Sequence, residues 1–404
     1  MAAIDRAAPL VVAAVVAAIP LIGIVAPQAP AWIIGLTLPF AAALYMREPQ
    51  RFAIRAAPAL AAPGLFFAYA FVSSFFAWKV GFALARVAAI AILALAAAGA
   101  RDLVCAFAAR ERDRTVRVFL GAFLLSGALL LVVLERFVTL GFLHGIKDEW
   151  LSVYNRPSVV LIILMPAATA LGLTRDTLPP RLRLALAGAC ILVPTLVAWR
   201  SESETAQLAG LVAVAAYLAF RLAYRPFAGL ACISIALAIA VWPWVSEWAF
   251  ATLNGTGALE FRAGTIAARL EMWAGVTRLI DASPIFGYGP EAIRSMTMPI
   301  EMRYMPTRND IHPHSMMIQM WVDLGAAGVV LFVLCVVDAF RRLGRAAHPD
   351  VRAAGGATIA VLVTIGAVSH GMWQAWWLGA AAAVPALLAC VAARRQGEGP
   401  RAAA

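Results

Sequence analysis

The sequence predicts an all-α integral membrane protein of about twelve transmembrane helices with one helical cap on its outer face. Three observations predict it: the composition, the number of long apolar runs and the placement of the basic residues. Of 404 residues, 63% are hydrophobic and only 14% are charged, against roughly 25% charged in an average soluble domain. Twelve spans of about 20 residues would use roughly 240 residues, which accounts for the hydrophobic fraction without any large soluble domain. An ordinary soluble enzyme is excluded.

Apolar runs bounded by charges or Pro/Gly clusters fall at about 8–26, 30–46, 58–78, 80–100, 118–135, 157–174, 184–199, 205–220, 227–245, 315–339, 353–371 and 373–392. Each is long enough to be read as a membrane helix. The first follows a short leader carrying Arg6 and is expected to be a retained span rather than a signal peptide. With the N-terminus inside, alternate connections hold Arg6, Arg47 to Arg55, Arg101 to Arg117, Arg175 to Arg183, Arg221 to Arg225, Arg341 to Arg352 and Arg394 to Arg401, which together carry 21 of the 33 basic residues. Every inside connection is basic, so an even number of spans with both termini in the cytoplasm satisfies the positive-inside rule. The net charge of +11 is therefore a topology signal first, and no nucleic-acid partner is expected. The five cysteines lie in or beside apolar runs with no paired spacing, so neither a disulfide framework nor a thiolate metal site is expected.

Three parts follow: helices 1–9 over residues 1–245, an outer loop over 246–313, and helices 10–12 with a short cytoplasmic tail over 314–404. A connection of 68 residues, Ser246 to Pro313, is far beyond the usual loop length and must be a folded cap. Its six Arg and seven Asp/Glu nearly cancel, so the placement of individual Arg residues matters more than the sum.

Within the cap, Arg262 to Ile280 reads as a helix with Ile266, Trp273, Val276 and Ile280 on one stripe. Arg262 and Arg269 fall on that same stripe, whereas Glu271 and Arg278 fall on the opposite side. Arginine on a buried face needs an anionic partner or a snorkelling path, and binding of an anionic ligand is the favoured reading for Arg262 and Arg269. The stretch Asp281 to Arg294, with Pro284, Gly287, Gly289 and Pro290, reads as a tight structural turn feeding a short helix.

The cap closes on Asn309-Asp310-Ile311-His312-Pro313-His314. Two His two residues apart beside an Asp are a weak zinc signature without a third strong ligand, and a general base is the better reading. At the outer N-terminus of a membrane helix, the dipole disfavours an imidazolium and keeps His314 neutral; the alternative is a capping histidine. Lys79, Arg156 and Arg200 lie near outer span ends, and Arg86 shares a helix face with Lys79 about 10 Å deeper. A cation at that depth needs a polar cavity or a partner, for which Asp323 is one candidate. Ser201-Glu202-Ser203-Glu204 reads as a capping box for the eighth span, with Ser201 at its cap.

At these residues the chain resembles the O-antigen ligase and polymerase superfamily of membrane glycosyltransferases. Three patches carry the resemblance: Arg269-Leu-Glu-Met-Trp273 followed by Asp281-Ala-Ser-Pro-Ile-Phe-Gly-Tyr-Gly289; His314-Ser-Met-Met-Ile-Gln319-Met-Trp-Val-Asp323-Leu-Gly325; and Ser201-Glu-Ser-Glu-Thr-Ala206. They are like the family's R-x-x-x-W with P-x-x-G-x-G, its H-N-x-x-L-Q-x-x-x-E-x-G, and its Ser-rich segment. The third patch departs from the family pattern, which commonly places Arg just after the second Ser. Here Glu204 stands at that place and Arg200 precedes the first Ser.

The resemblance implies a glycosyltransferase-C-like fold with a periplasmic cap in the bacterial inner membrane. It implies transfer of a polysaccharide from undecaprenyl diphosphate to the lipid A-core of lipopolysaccharide, with inversion. His314 would take the place of the base, with His312 as fallback. Arg269 would take that of the cap-helix Arg on the diphosphate, supported by Arg262, Arg200, Arg156, Arg86 and Lys79. The outer segments show no D-x-D pair to hold Mg²⁺, so no metal cofactor is expected and Arg would neutralise the leaving group. A chain polymerase or related oligosaccharide transferase is the alternative within the superfamily; its R-x₁₀-G spacing occurs at Arg278 to Gly289 but also in inside segments. A protein-glycosylating relative is disfavoured, since such chains usually carry an extra soluble tail. A twelve-helix secondary transporter is the alternative of another class, although no repeat relates the two halves and the long loop is not central.

Overall fold

The computed structural model describes residues 2–48, 61–135, 151–256, 259, 265–295 and 312–392, and among them every regular element is helical. Arg262, Asp310, Arg51, Arg55 and the C-terminal tail lie outside the described residues.

The helices are α1 (Ala2–Val25), α2 (Pro30–Gly35), α3 (Leu38–Arg47), α4 (Ala61–Ser74), α5 (Val80–Ala106), α6 (Ala109–Leu134), α7 (Asn155–Leu173), α8 (Pro180–Arg200), α9 (Glu204–Leu222), α10 (Tyr224–Leu253), α11 (Thr265–Ala282), α12 (Ala292–Ser295), α13 (Met316–Gly344), α14 (Pro349–Val368) and α15 (Ala375–Ala392). Ten of these, α1, α5 to α10 and α13 to α15, are long and apolar enough to cross a membrane. The protein is an all-α, multi-pass membrane protein.

The sequence reading expected twelve spans, and the difference lies in two runs. The run at 30–46 is broken between α2 and α3: Pro39 in the first turn of α3 lacks the N–H to continue the ladder, and Thr37 bonds back to the Ile34 carbonyl at 2.8 Å. The pair still carries the chain from end to end. Ala31 packs against Gly379 near the start of α15, while Tyr45 donates to Asp102 at 2.9 Å beside the far end of α5. The run at 58–78 contains α4, only 14 residues long, which lies along α13 with Phe66 against Phe332.

α7 is apolar on every side and nearly all of it is buried, which makes it the centre of the bundle. It packs against α8, α9, α14 and α15. Its Pro166 is accommodated because neighbouring helices enclose the freed backbone.

One boundary moved. The ninth span was expected to stop at 245, but α10 runs on to Leu253, since nothing breaks the helix before Asn254-Gly255. In the cap, α11 packs against both α10 and α13. Met272, Trp273, Val276 and Ile280 join Ile293, Ile318 and Val322 in a cluster of its own. Because two helices embrace α11, Glu271 is buried, although the single-stripe reading placed it on the solvent side with Arg278; Arg278 is exposed as expected.

The turn at 283–290 is locked onto a break in α13. Gly325, inside α13, has φ +61°, and the interrupted ladder is completed from outside. Tyr288 N–H donates to Val322 O (2.9 Å) and Gly289 N–H to Asp323 O (2.8 Å), while Ala326 N–H donates to Pro284 O (2.8 Å). A Cβ on Gly325 would fall on the Ile285 carbonyl, and one on Gly287 on the Asp323 backbone. Gly325→Ala is therefore expected to destabilise the protein by at least about 2 kcal/mol, read as a lowered thermal midpoint in detergent. An unchanged midpoint would contradict this docking.

Candidate active site

One end of the bundle is organised by α13 and by the Ser369–Gln374 connection between α14 and α15. Ser315 is the N-cap of α13, its Oγ accepting from Ile318 N–H. The capping alternative for His314 therefore fails: His314 stands one residue outside the helix, with φ +48°. The Trp273 indole N–H donates to the Pro313 carbonyl and ties this segment to α11.

His314 Nδ1 lies 3.1 Å from the Ser369 carbonyl oxygen. A carbonyl only accepts, so Nδ1 carries the proton and Nε2 keeps a free lone pair. Burial and the nearby Arg269 guanidinium push His314 below its ordinary value, against the Ser369 carbonyl, which pulls it up. His312 has the opposite tautomer, because its Nδ1 accepts the His314 backbone N–H at 2.9 Å. The two rings meet edge to face, 5.2 Å apart. Burial, then His314 and Arg294, push His312 down to about 3.

Arg269 is half-buried on α11 and donates to the Val368 carbonyl at 2.8 Å. Burial pulls its guanidinium down, and Glu204 opposes that shift. The position of Glu204 corrects the capping-box reading. The N-cap of α9 is Ser203, accepting from Ala206 N–H at 3.2 Å, and Ser201 instead bonds the Ala198 carbonyl at the end of α8. Glu204 then becomes the first residue of α9, exposed and near enough to Arg269 for its charge to act there.

The other sequence candidates divide. Arg156 lies over the Trp376 ring at 5.7 Å and close enough to His370 to depress it. Arg86 is paired, but with Glu291 at 3.6 Å and not with Asp323. Asp323 is fully buried and accepts from Glu291 N–H (2.9 Å), Ala292 N–H (3.0 Å) and the Trp373 indole (2.7 Å), so it holds the start of α12 and the post-α14 connection together. Lys79 is exposed at the start of α5. Arg200 pairs with Glu135 at 2.7 Å, at the end of α6.

Three residues escaped the sequence reading. Arg294 shares Glu291 with Arg86 and sits over the same Phe82 ring, at 5.9 Å against 4.8 Å for Arg86. Glu291 is buried at φ +61°; burial raises its carboxyl, and Arg294 and Arg86 oppose this. His370 lies between α14 and α15 beside the other histidines. The signal for His370 was available, since it is one of only five histidines and stands at the end of a long apolar run. Among the described residues no three His, Cys, Asp or Glu come together as a metal-binding group.

The arrangement is a membrane-embedded site with a neutral histidine and several arginines at one end of a helical bundle. Residues 187–333, from α8 into α13, match the family model described as O-antigen ligase. This segment contains Arg269 and His314, so the part of the chain that carries the candidate site is the part similar to O-antigen ligases. It is similar to a protein of Rickettsia felis named "Putative polysaccharide ligase", 29% identical over 119 residues. That stretch covers 28% of this chain and 29% of the relative. A relative of the same description from Rickettsia conorii is 28% identical over 119 residues, covering 28% of each chain, and one from Rickettsia bellii is 31% identical over 68 residues, 17% of each. The chain thus matches less than a third of the length of these relatives. No solved structure matches.

Proposed function

We propose that this protein is a polysaccharide ligase of the O-antigen ligase type. It transfers a glycan from undecaprenyl diphosphate to a sugar hydroxyl of the lipid A-core, in the inner membrane, with the cap on the periplasmic face and both termini in the cytoplasm. The observation that carries the reading is His314, held with Nδ1 on the Ser369 carbonyl and Nε2 open, next to the half-buried Arg269. A neutral Nε2 takes the proton of the attacking hydroxyl. Arg269 and Arg156, with Arg262, Arg200, Arg86 and Lys79 as further candidates, neutralise the diphosphate as it leaves. Attack from the face opposite the diphosphate inverts the anomeric centre. The tautomers favour His314 over His312 as the base, since His312 Nδ1 is already occupied by a backbone N–H.

The test is the product formed by purified protein in detergent, supplied with a glycan on undecaprenyl diphosphate and with lipid A-core. Glycan joined to lipid A-core supports the ligase; glycan lengthened on its own carrier assigns a polymerase. Transport activity that needs a closed vesicle, with no transfer in detergent, would overturn both.

Arginine supplies the positive charge that a divalent cation would otherwise bring. Excess EDTA is expected to leave turnover within about twofold of the untreated value. A chelated enzyme that loses activity and regains it with Mn²⁺, Mg²⁺ or Zn²⁺ would reassign the histidines as ligands.

A further inference from the structure

The connection that follows α14 is an arc of backbone that holds the site together. Val368 O takes Arg269, Ser369 O takes His314, and Gly371 packs against His312 Nε2, with no room for a Cβ. The arc itself is pinned from three sides. Met372 N–H donates to Gln319 Oε1 (3.0 Å), the Trp377 indole to Gly371 O (3.1 Å) and the Trp373 indole to Asp323 (2.7 Å). At its middle stands His370, between the residue that holds the base and the residue packed on the second histidine.

The His370 ring is set by aromatic packing alone. It meets Trp376 edge to face at 4.8 Å and Trp377 at 6.1 Å, and Arg156 covers Trp376. Neither ring nitrogen makes a hydrogen bond to another described residue, and part of the residue remains open. Imidazole nitrogens held in place by packing and left open to the site are free to meet a ligand. Burial and the surrounding His314, His312, Arg156 and Arg269 push His370 down to about 3, so the ring is neutral at pH 7. A neutral imidazole offers one N–H and one lone pair. That matches a sugar hydroxyl, which both donates and accepts, better than a diphosphate, which only accepts.

Resting on the transferase reading above, we propose that His370 is a sugar-binding residue that hydrogen-bonds a hydroxyl of the donor's first sugar. In this reading the sugar lies between the diphosphate held by Arg269 and Arg156 and the hydroxyl facing His314, and His370 is the side chain of the arc close enough to His314, Arg156 and Arg269 for their charges to act on it. Its role is to orient the anomeric carbon toward the attacking oxygen.

The test compares two probes by equilibrium binding to the full chain in nanodiscs: undecaprenyl diphosphate without sugar, and the same lipid bearing its glycan. His370→Ala removes the ring, and His370→Phe keeps the packing on Trp376 but not the nitrogens. Both variants are expected to weaken the glycan-bearing lipid about tenfold and to leave the bare diphosphate within about twofold, with an unchanged thermal midpoint for His370→Phe. Equal weakening of both probes, or no weakening of either, would overturn the assignment while leaving the transferase reading intact. Failure of the unaltered protein to bind either lipid would overturn both.

Discussion

Replacing His314 by alanine is expected to lower glycan transfer by about 10²- to 10⁴-fold, the worth of a positioned general base. The protein should remain folded, because Ser315, the next residue, caps α13 and the Trp273 indole bonds Pro313, the residue before. His312→Ala should cost less, since it removes a ring that buttresses the His314 backbone and not the proton acceptor. The pH profile carries the same assignment. A base must be neutral to work, and burial and Arg269 hold His314 below its ordinary 6.5. The acidic limb of kcat/KM should therefore fall below pH 6.5, with activity flat above it until another group titrates. Near-wild-type turnover in purified His314→Ala would remove the base from this position.

Arg269→Ala is expected to weaken donor binding by about ten- to a hundredfold, on the scale of a charge-assisted hydrogen bond to a buried anion. Arg278→Ala should leave it unchanged, since that side chain is exposed on the other face of α11. Lysine at 269 should restore only part of the loss, because an ammonium cannot hold two oxygens in a fork. Glu204 adds a further control. It raises the charge stability of Arg269, so Glu204→Gln should change donor affinity in Arg269-containing protein and have no effect on Arg269→Ala. Equal donor affinity in the Arg269 and Arg278 variants would contradict the division of the cap arginines.

Much of this architecture was legible because it follows from local rules. Hydropathy locates membrane helices since a buried backbone must satisfy itself, and a 20-residue apolar run can do so in only one way. The stripe on α11, the structural turn at Pro284 to Gly289 and the position of His314 before a helix are likewise local features. Their errors were local too. Ser201 and Ser203 are equally good N-caps by type, and only the path of the chain between α8 and α9 selects Ser203. The run at 30–46 has the composition of a span, yet Pro39 splits it.

What the sequence by itself determined is the class: an all-α, multi-pass membrane protein. Only the tertiary structure decided which of its polar residues meet. Arg86 was free to choose Asp323 or Glu291, and Asp323 was taken by two backbone N–H groups and an indole that lie 31, 32 and 50 residues away in the chain. The His314 tautomer depends on a carbonyl 55 residues downstream, and His370 enters the site through the same arc. Spacing along a helix reports neighbours within a few turns. Partners brought together across a bundle are chosen by packing and by the high cost of leaving a buried polar group unpaired, and that choice is made only when the helices have closed around it.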